Sequence, residues 1–340
     1  MFNIFYNLNY SKKEKVFLTK NLKHSKLLNL INFASYNLKI PISNNLIFSG
    51  PNKRFNNLIY TFSKKKYSYN AEEFNNSYFV HFDEYSENIL NNIINSEDFK
   101  SKKLIIGPLY NPKFQAKLYE LTKIHPNIKM LVASKSSYEQ AKILFNKINN
   151  DQLVISPSGV ISEKELIQNS QHKNRNNNCL IYTKNRTKED LDFVINFLKQ
   201  NNINYTIFEY GKYRNKDLIK CSKNSKFGVV INRTESQGFA IQEMLSCNLP
   251  LFVWEDLKYN SDALKKFYGI KGLNGTSVPY WSDDCGIVTY NKQEFKANFN
   301  NFFANIESFQ PYLYIKKNLT FEIARKKMNN LFEPGSKLWN

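Results

Sequence analysis

Short apolar runs, each stopped by Gly, Pro or Ser and most followed by a segment of helical period, recur along the chain. This alternation restricts the fold more than any other feature. Leu46-Ile47-Phe48 leads into Ser49-Gly50-Pro51, and Tyr78-Phe79-Val80-His81 leads into a stretch over 85–94 with apolar residues at helical spacing. Leu104-Ile105-Ile106 stops at Gly107-Pro108, and Lys129-Met130-Leu131-Val132 stops at Ala133-Ser134, ahead of an amphipathic stretch over 138–148. A second series starts at Cys179-Leu180-Ile181-Tyr182. It continues through a helical stretch over 188–200, Tyr205-Thr206-Ile207-Phe208, a helix over 216–221, a strand over 227–231, a helix over 241–246 and the strand Leu251-Phe252-Val253-Trp254. Short strands alternating with helices predict βαβ units and parallel sheets. The polar stretch Gln171-His172-Lys173-Asn174-Arg175-Asn176-Asn177-Asn178 has nothing to bury and reads as a loop or linker.

The expected architecture is therefore α/β, with two Rossmann-like domains facing across a cleft. The first covers 1–150 and the second 151–313. A long helix over 314–331, within a C-terminal segment 314–340, carries an apolar stripe of Phe321, Ile323, Ala324, Met328 and Leu331. That stripe needs cover, and the expectation is that the helix packs back on the first domain. The length, 340 residues, agrees with two domains at about 100–200 residues each.

Composition excludes several classes. Hydrophobic residues make up 42% and aromatics 15%, which rules out a disordered chain. Cys179, Cys221, Cys247 and Cys285 stand far apart with no CxxC pair, against a zinc ribbon or a disulfide framework. No apolar run reaches the roughly 18–20 residues of a membrane span, and the N-terminus lacks the pattern of a signal peptide. The chain reads as soluble and cytoplasmic. Its net charge of +19 would suit nucleic acid or an anionic membrane surface. The lysines are scattered through an Asn-, Ile-, Phe- and Tyr-rich sequence, however, rather than gathered into one arm. A solvated surface is the better reading, with peripheral contact to an anionic membrane left open and nucleic acid disfavoured.

In folds of this class ligands bind beyond the carboxyl ends of the strands. The most informative such segment is Asn232-Arg233-Thr234-Glu235-Ser236-Gln237-Gly238-Phe239-Ala240-Ile241-Gln242-Glu243, followed by Pro250 before the next strand. Gly238 permits close backbone approach, and the amides around Gly238, Phe239 and Ala240 open a helix, a ready site for a diphosphate. Glu235 and Glu243, with seven residues between them, suit neutral hydroxyl donors rather than phosphates, which they would repel.

Glu235, Gly238, Phe239, Glu243 and Pro250 together resemble the donor-binding motif of retaining GT-B glycosyltransferases of the family-four group. Cys247-Asn248 depart from the small residues usual there. The resemblance, strongest over 153–255, implies a metal-independent hexosyltransferase with a nucleotide-diphosphate sugar as donor substrate, no cofactor, and a glycan, lipid-linked or protein acceptor. It implies that Glu235 meets the transferred sugar and Glu243 the ribose, with Ser236, Gln237, Gly238, Phe239 and Ala240 lining the donor. It also implies a basic pair on the diphosphate, a role given to Lys184 and Arg186 after the strand Cys179-Leu180-Ile181-Tyr182. Ser156-Pro157-Ser158-Gly159-Val160 resembles the family's entry to its second domain, and Thr276-Ser277-Val278-Pro279-Tyr280-Trp281 reads as a loop near the cleft. On the first domain, His81 or Asp83 would approach the anomeric carbon, and Gly107 and Pro108 would border the acceptor side. Two alternatives stand beside this reading: a basic nucleic-acid-binding protein, and a GT-B relative that epimerises or hydrolyses its nucleotide sugar.

Overall fold

The computed structural model describes residues 2–5, 53–54, 57, 61, 68–69, 77–80, 94–95, 97, 99, 103–107, 120–145, 150–170, 175–269 and 271–332. The chain divides into two units. Among the described residues, the first comprises those up to Gly159 and Glu322–Phe332, and the second Val160–Phe321. The expected boundaries at 150 and 313 thus shift to 159 and 321. The strand Leu153–Ile155, assigned from sequence to the second domain, pairs with Ile128–Val132 in the first. The segment 156–160 straddles the boundary.

The first unit holds a parallel sheet of β1 (Phe2–Phe5), β2 (Ser68–Tyr69), β3 (Ser77–Val80), β4 (Leu104–Ile106), β5 (Ile128–Val132) and β6 (Leu153–Ile155), in the order β2-β1-β3-β4-β5-β6. Leu104, Ile106, Met130 and Val132 pack with Ala141 and Phe145 of the following helical segment. That segment, α1 (Lys135–Leu144), starts where the sequence stops the strand: Ser134 caps it by accepting from the Ser137 amide at 3.2 Å.

The second unit holds the parallel sheet β7 (Asn176–Lys184), β8 (Asn204–Glu209), β9 (Ser225–Asn232), β10 (Leu251–Trp254) and β11 (Gly286–Thr289), ordered β11-β10-β9-β7-β8. Its helices are α2 (Glu163–Ser170), α3 (Lys188–Gln200), α4 (Asn215–Asn224), α5 (Phe239–Ser246), α6 (Leu257–Tyr268), α7 (Phe295–Ala304) and α8 (Pro311–Asn318). The pleat sorts side chains by period two. Leu180, Tyr182, Val230 and Val253 pack on the face of α5, against Met244 and Leu245. Cys179, Ile181, Val229, Ile231 and Phe252 pack on the face of α3 and α7, against Val194, Leu198, Phe295, Phe299 and Phe302. Phe252 stands with the rings of Phe295, Phe299 and Phe302 at 5.0, 5.4 and 5.6 Å. Each buried Phe contributes about 1.5–3 kcal/mol, so this aromatic layer is a main source of the unit's stability.

The expected long C-terminal helix is two. Between α8 and α9 (Phe321–Phe332), Leu319 O accepts from Val160 N and Phe321 N donates to Ile161 O, both at 2.9 Å, and Thr320 bridges Ile161. Backbone groups spent on that pairing cannot continue a helix. Beyond it, Ala324, Met328 and Leu331 are buried at one-turn spacing, Met328 Sδ lies 3.4 Å from Ser156 Oγ, and Arg325 Nε donates to Thr61 O. Glu322–Phe332 therefore belong to the first unit. Among the described residues no helix is long and apolar enough to cross a membrane.

Candidate functional site

In the second sheet the chain passes from β7 out to β8, then returns to the other side of β7 to form β9. The carboxyl ends of β7 and β9 therefore flank the point where the connections part in opposite directions, the usual place for a ligand crevice. Lys184 and Asn232 sit side by side there, paired in register.

The loop after β9 is organised around Glu235. Lys184 Nζ lies 2.6 Å from Glu235 Oε1, and Asn232 Nδ2 donates to the same oxygen at 2.9 Å. The Asn232 side chain also accepts from the Arg233 amide at 2.8 Å, so one residue turns the chain and fixes the carboxylate. The Glu235 amide donates to Thr276 O at 2.8 Å. Lys184 and Glu235 keep 15% and 12% of their side-chain surface, and the Lys184 ammonium lies 4.5 Å from the centre of the Tyr210 ring. Oε2 of Glu235 has no hydrogen-bond donor among the described residues.

Gly238 ends this loop with φ +73° and caps α5. A residue with a Cβ would pay about 1–2 kcal/mol in that left-handed conformation. The first backbone bond of α5 runs from Gln242 N to Gly238 O, so the amides of Ala240 and Ile241 point out of the helix's N-terminal end. Gln237 and Gln242 lock the turn: Gln242 Nε2 donates to Gln237 O at 2.5 Å and Gln237 Nε2 to Gln242 Oε1 at 3.1 Å. Ser236 is half-buried, and Phe239 packs in the core. Glu243, one turn further, is 5% exposed on a helix otherwise buried on nearly every side. A carboxylate there is costly unless the fold or a ligand uses it. Burial, and next the Glu243 carboxylate, push the Tyr213 phenol above its ordinary pKa. Tyr182, also raised chiefly by burial, meets Tyr213 edge-on with ring centres 6.2 Å apart.

Two residues depart from sequence expectation. Arg186 does not stand beside Lys184 as a second cation open to a diphosphate. Its side chain is 0% exposed and pairs with Asp190 at 2.9 Å. It also donates to Asn232 O and Trp254 O, and lies 4.9 Å from the Trp254 ring centre. It ties the ends of β9 and β10 to the first turn of α3 and so supports Asn232 from behind. Glu255, which no sequence signal singled out, holds the facing loop. Its carboxylate accepts from Asn260 Nδ2, Thr276 Oγ1 and the Ser277 amide at 3.0, 3.0 and 2.6 Å. Burial raises its pKa and these bonds oppose the rise. Glu255 therefore fixes Thr276, whose carbonyl holds Glu235.

Gly107 is buried with φ +140°, and a Cβ on it would fall 2.8 Å from Leu131; close packing on β5 accounts for this glycine. His81, Asp83 and Pro108 lie outside the described residues. Among the described residues no three His, Cys, Asp or Glu side chains gather as metal ligands.

No protein-family model matches the sequence, and comparison with curated proteins finds no match. Solved structures do resemble it. The N-terminal domain of Candida albicans trehalose-6-phosphate phosphatase superposes with a TM-score of 0.53 at 10% identity, over 97% of this chain and 96% of that one. The two share a fold. WaaG, a glycosyltransferase involved in lipopolysaccharide biosynthesis, gives 0.46 at 10% identity over 85% of this chain and 97% of its own. The GtfA/B complex gives 0.47 at 14% identity over 76% of this chain. This chain spans 57% of the length of that last relative.

Proposed function

We propose that the protein is a glycosyltransferase that binds a nucleotide-diphosphate sugar at the carboxyl edge of the second sheet and transfers its sugar with retention of configuration. The observation that carries this reading is the joint geometry of Glu235, Gly238 and Glu243 with Lys184, at the point where the sheet's connections diverge. WaaG, one of the solved structures this chain is similar to, is itself a glycosyltransferase.

The division of labour follows from charge. Lys184 and the outward amides of Ala240 and Ile241 are the positive groups here, and they would hold the diphosphate and stabilise it as it leaves. Glu243, buried beyond the helix turn, suits the two ribose hydroxyls. Glu235 offers Oε2 to a sugar hydroxyl while Asn232 keeps Oε1 in place. In the free protein Lys184 bonds to Glu235. Once a diphosphate is bound, the ammonium has a second anion to neutralise, so donor binding loosens its hold on Glu235 and leaves that carboxylate to the sugar. No metal is needed in this scheme, and the acceptor, a glycan, a lipid-linked glycan or a protein, would be met by the first unit.

The test is a thermal-shift panel of UDP-, GDP- and ADP-sugars on the intact chain, because a ligand bound only by the folded state raises its melting temperature. The stabilising donor is then incubated with candidate acceptors and the product's anomeric configuration read by NMR. One class of donor should stabilise and yield a retained linkage. Release of free sugar alone, or of an epimer, would move the protein to the hydrolase or epimerase reading, and no stabilisation at millimolar donor would remove the donor assignment.

A further inference from the structure

A cavity in the second unit lies at the opposite, amino end of the strands from Lys184 and Glu235. It measures about 780 Å³, and its lining includes Arg175, Lys226, Phe303, Glu307, Phe309 and Tyr312, together with Asn177 and Gln310. Arg175 precedes β7 and Lys226 opens β9, whereas Lys184 and Asn232 close those strands. At about 3.3 Å per residue, the length of β7 separates the two sites by roughly 25 Å. This size falls in the range of small-molecule sites, about 300–1,000 Å³.

Its chemistry is uneven in an informative way. Arg175 donates to Ser225 O at 3.3 Å and Cys247 O at 2.7 Å, which fixes the guanidinium against the sheet edge. No carboxylate lies within ion-pair distance of it among the described residues; Glu307 acts on it only at longer range, and burial pulls its pKa down. Lys226 Nζ lies 4.7 Å from the centre of the Phe303 ring and likewise has no carboxylate partner among the described residues. The amides of Asn177 and Gln310 and the Tyr312 hydroxyl make no side-chain hydrogen bond among them either. Two held cations outnumber the one carboxylate of the lining, Glu307, and neither is ion-paired with it, so they favour an anion, and a planar guanidinium fits the oxygens of phosphate or carboxylate. The room beyond them, lined by aromatic faces and idle hydrogen-bonding groups, is far larger than phosphate alone. It suits a body with apolar C–H faces and several hydroxyls.

From this combination we infer a second binding site, for a phosphorylated or carboxylated saccharide, held by Arg175 and Lys226 with its ring against Phe309 and Tyr312. The inference does not depend on the donor reading, since none of Lys184, Asn232, Glu235, Gly238, Ala240, Ile241 and Glu243 lines this cavity.

Titration calorimetry on the intact chain tests it with glucose 6-phosphate and glucuronate as probes, and glucose and inorganic phosphate as controls. At least one anionic sugar should bind, more tightly than either control, and which one binds assigns phosphate or carboxylate. Arg175→Gln and Lys226→Gln should each weaken it about tenfold or more, with nucleoside diphosphate binding unchanged. Arg175 also holds two backbone carbonyls, so Lys226→Gln decides if Arg175→Gln fails to fold. Equal binding by folded Lys226→Gln, displacement of the sugar by a nucleoside diphosphate, or no binding of either anionic sugar at millimolar concentration would overturn the site.

Discussion

At the scale of single residues, Glu235 and Glu243 occupy different surroundings, so their variants should differ. Glu243 is buried on α5 beside Tyr213 and is assigned to the ribose, which donor and product share. Glu243→Ala should therefore weaken free nucleoside diphosphate and donor alike, by about tenfold to a hundredfold for a lost charged hydrogen bond of about 1.5–3 kcal/mol. Glu235→Ala should leave nucleoside diphosphate affinity nearly intact and depress turnover instead, as for an interaction that strengthens in the transition state. Calorimetry together with steady-state rates separates the two, and identical profiles would refute the assignment. Lys184 makes a third case. Lys184→Met should cost about tenfold in affinity for a nucleoside diphosphate but leave the parent nucleoside unaffected, because only the phosphates gain from the ammonium. Equal losses for both would place Lys184 elsewhere than on the diphosphate. The sequence singled out Lys184, Glu235 and Gly238 because they stand at a strand's end or a helix's start, and Glu243 because it falls on the helix that Gly238 opens. It could not separate Lys184 from Arg186, since two cations in one strand-end loop read alike. What sets them apart is a ring and a carbonyl at Trp254, 68 residues further on.

At the scale of elements, Arg186 joins β9, β10 and α3, and its removal should act on the fold before it acts on ligand. Breaking a buried ion pair by deleting one partner costs about 3–5 kcal/mol. Arg186→Met should thus lower the denaturant midpoint of the second unit markedly, while the folded fraction still binds nucleoside diphosphate. A variant of full stability that had lost nucleotide affinity would instead make Arg186 a ligand contact, as its sequence position suggested. Strands β7 to β10 of the second unit were readable as short apolar runs, whereas β11 was not, and Leu251–Trp254 and Lys188–Gln200 coincide with their expected bounds. Phe2–Phe5 and Ser68–Tyr69 carry no such signal, and only pairing to neighbours marks them as strands. The break between α8 and α9 was equally hidden. An apolar stripe continues through Leu319 and Phe321, and the interruption comes from pairing with Val160 and Ile161, far off in sequence. The Glu255 network is distant in the same sense, since its partners at 276 and 277 lie about twenty residues along the chain.

At the scale of the whole molecule, two α/β units, each with a parallel sheet, account for the length, the paired series of apolar runs and the return of the chain at Glu322 to the first unit. The +19 charge settles little by itself; its local expression at Lys184, and at Arg175 and Lys226, is what the account uses. The central claim is that the carboxyl edge of the second sheet holds a nucleoside diphosphate between Lys184, the start of α5 and Glu243. Titration calorimetry of UDP, GDP and ADP into the intact chain and into Glu243→Gln tests it most directly. The account predicts that one of the three binds the intact chain, at least about tenfold more weakly to Glu243→Gln. Failure of all three to bind at millimolar concentration, or binding that Glu243→Gln leaves unchanged, would contradict it.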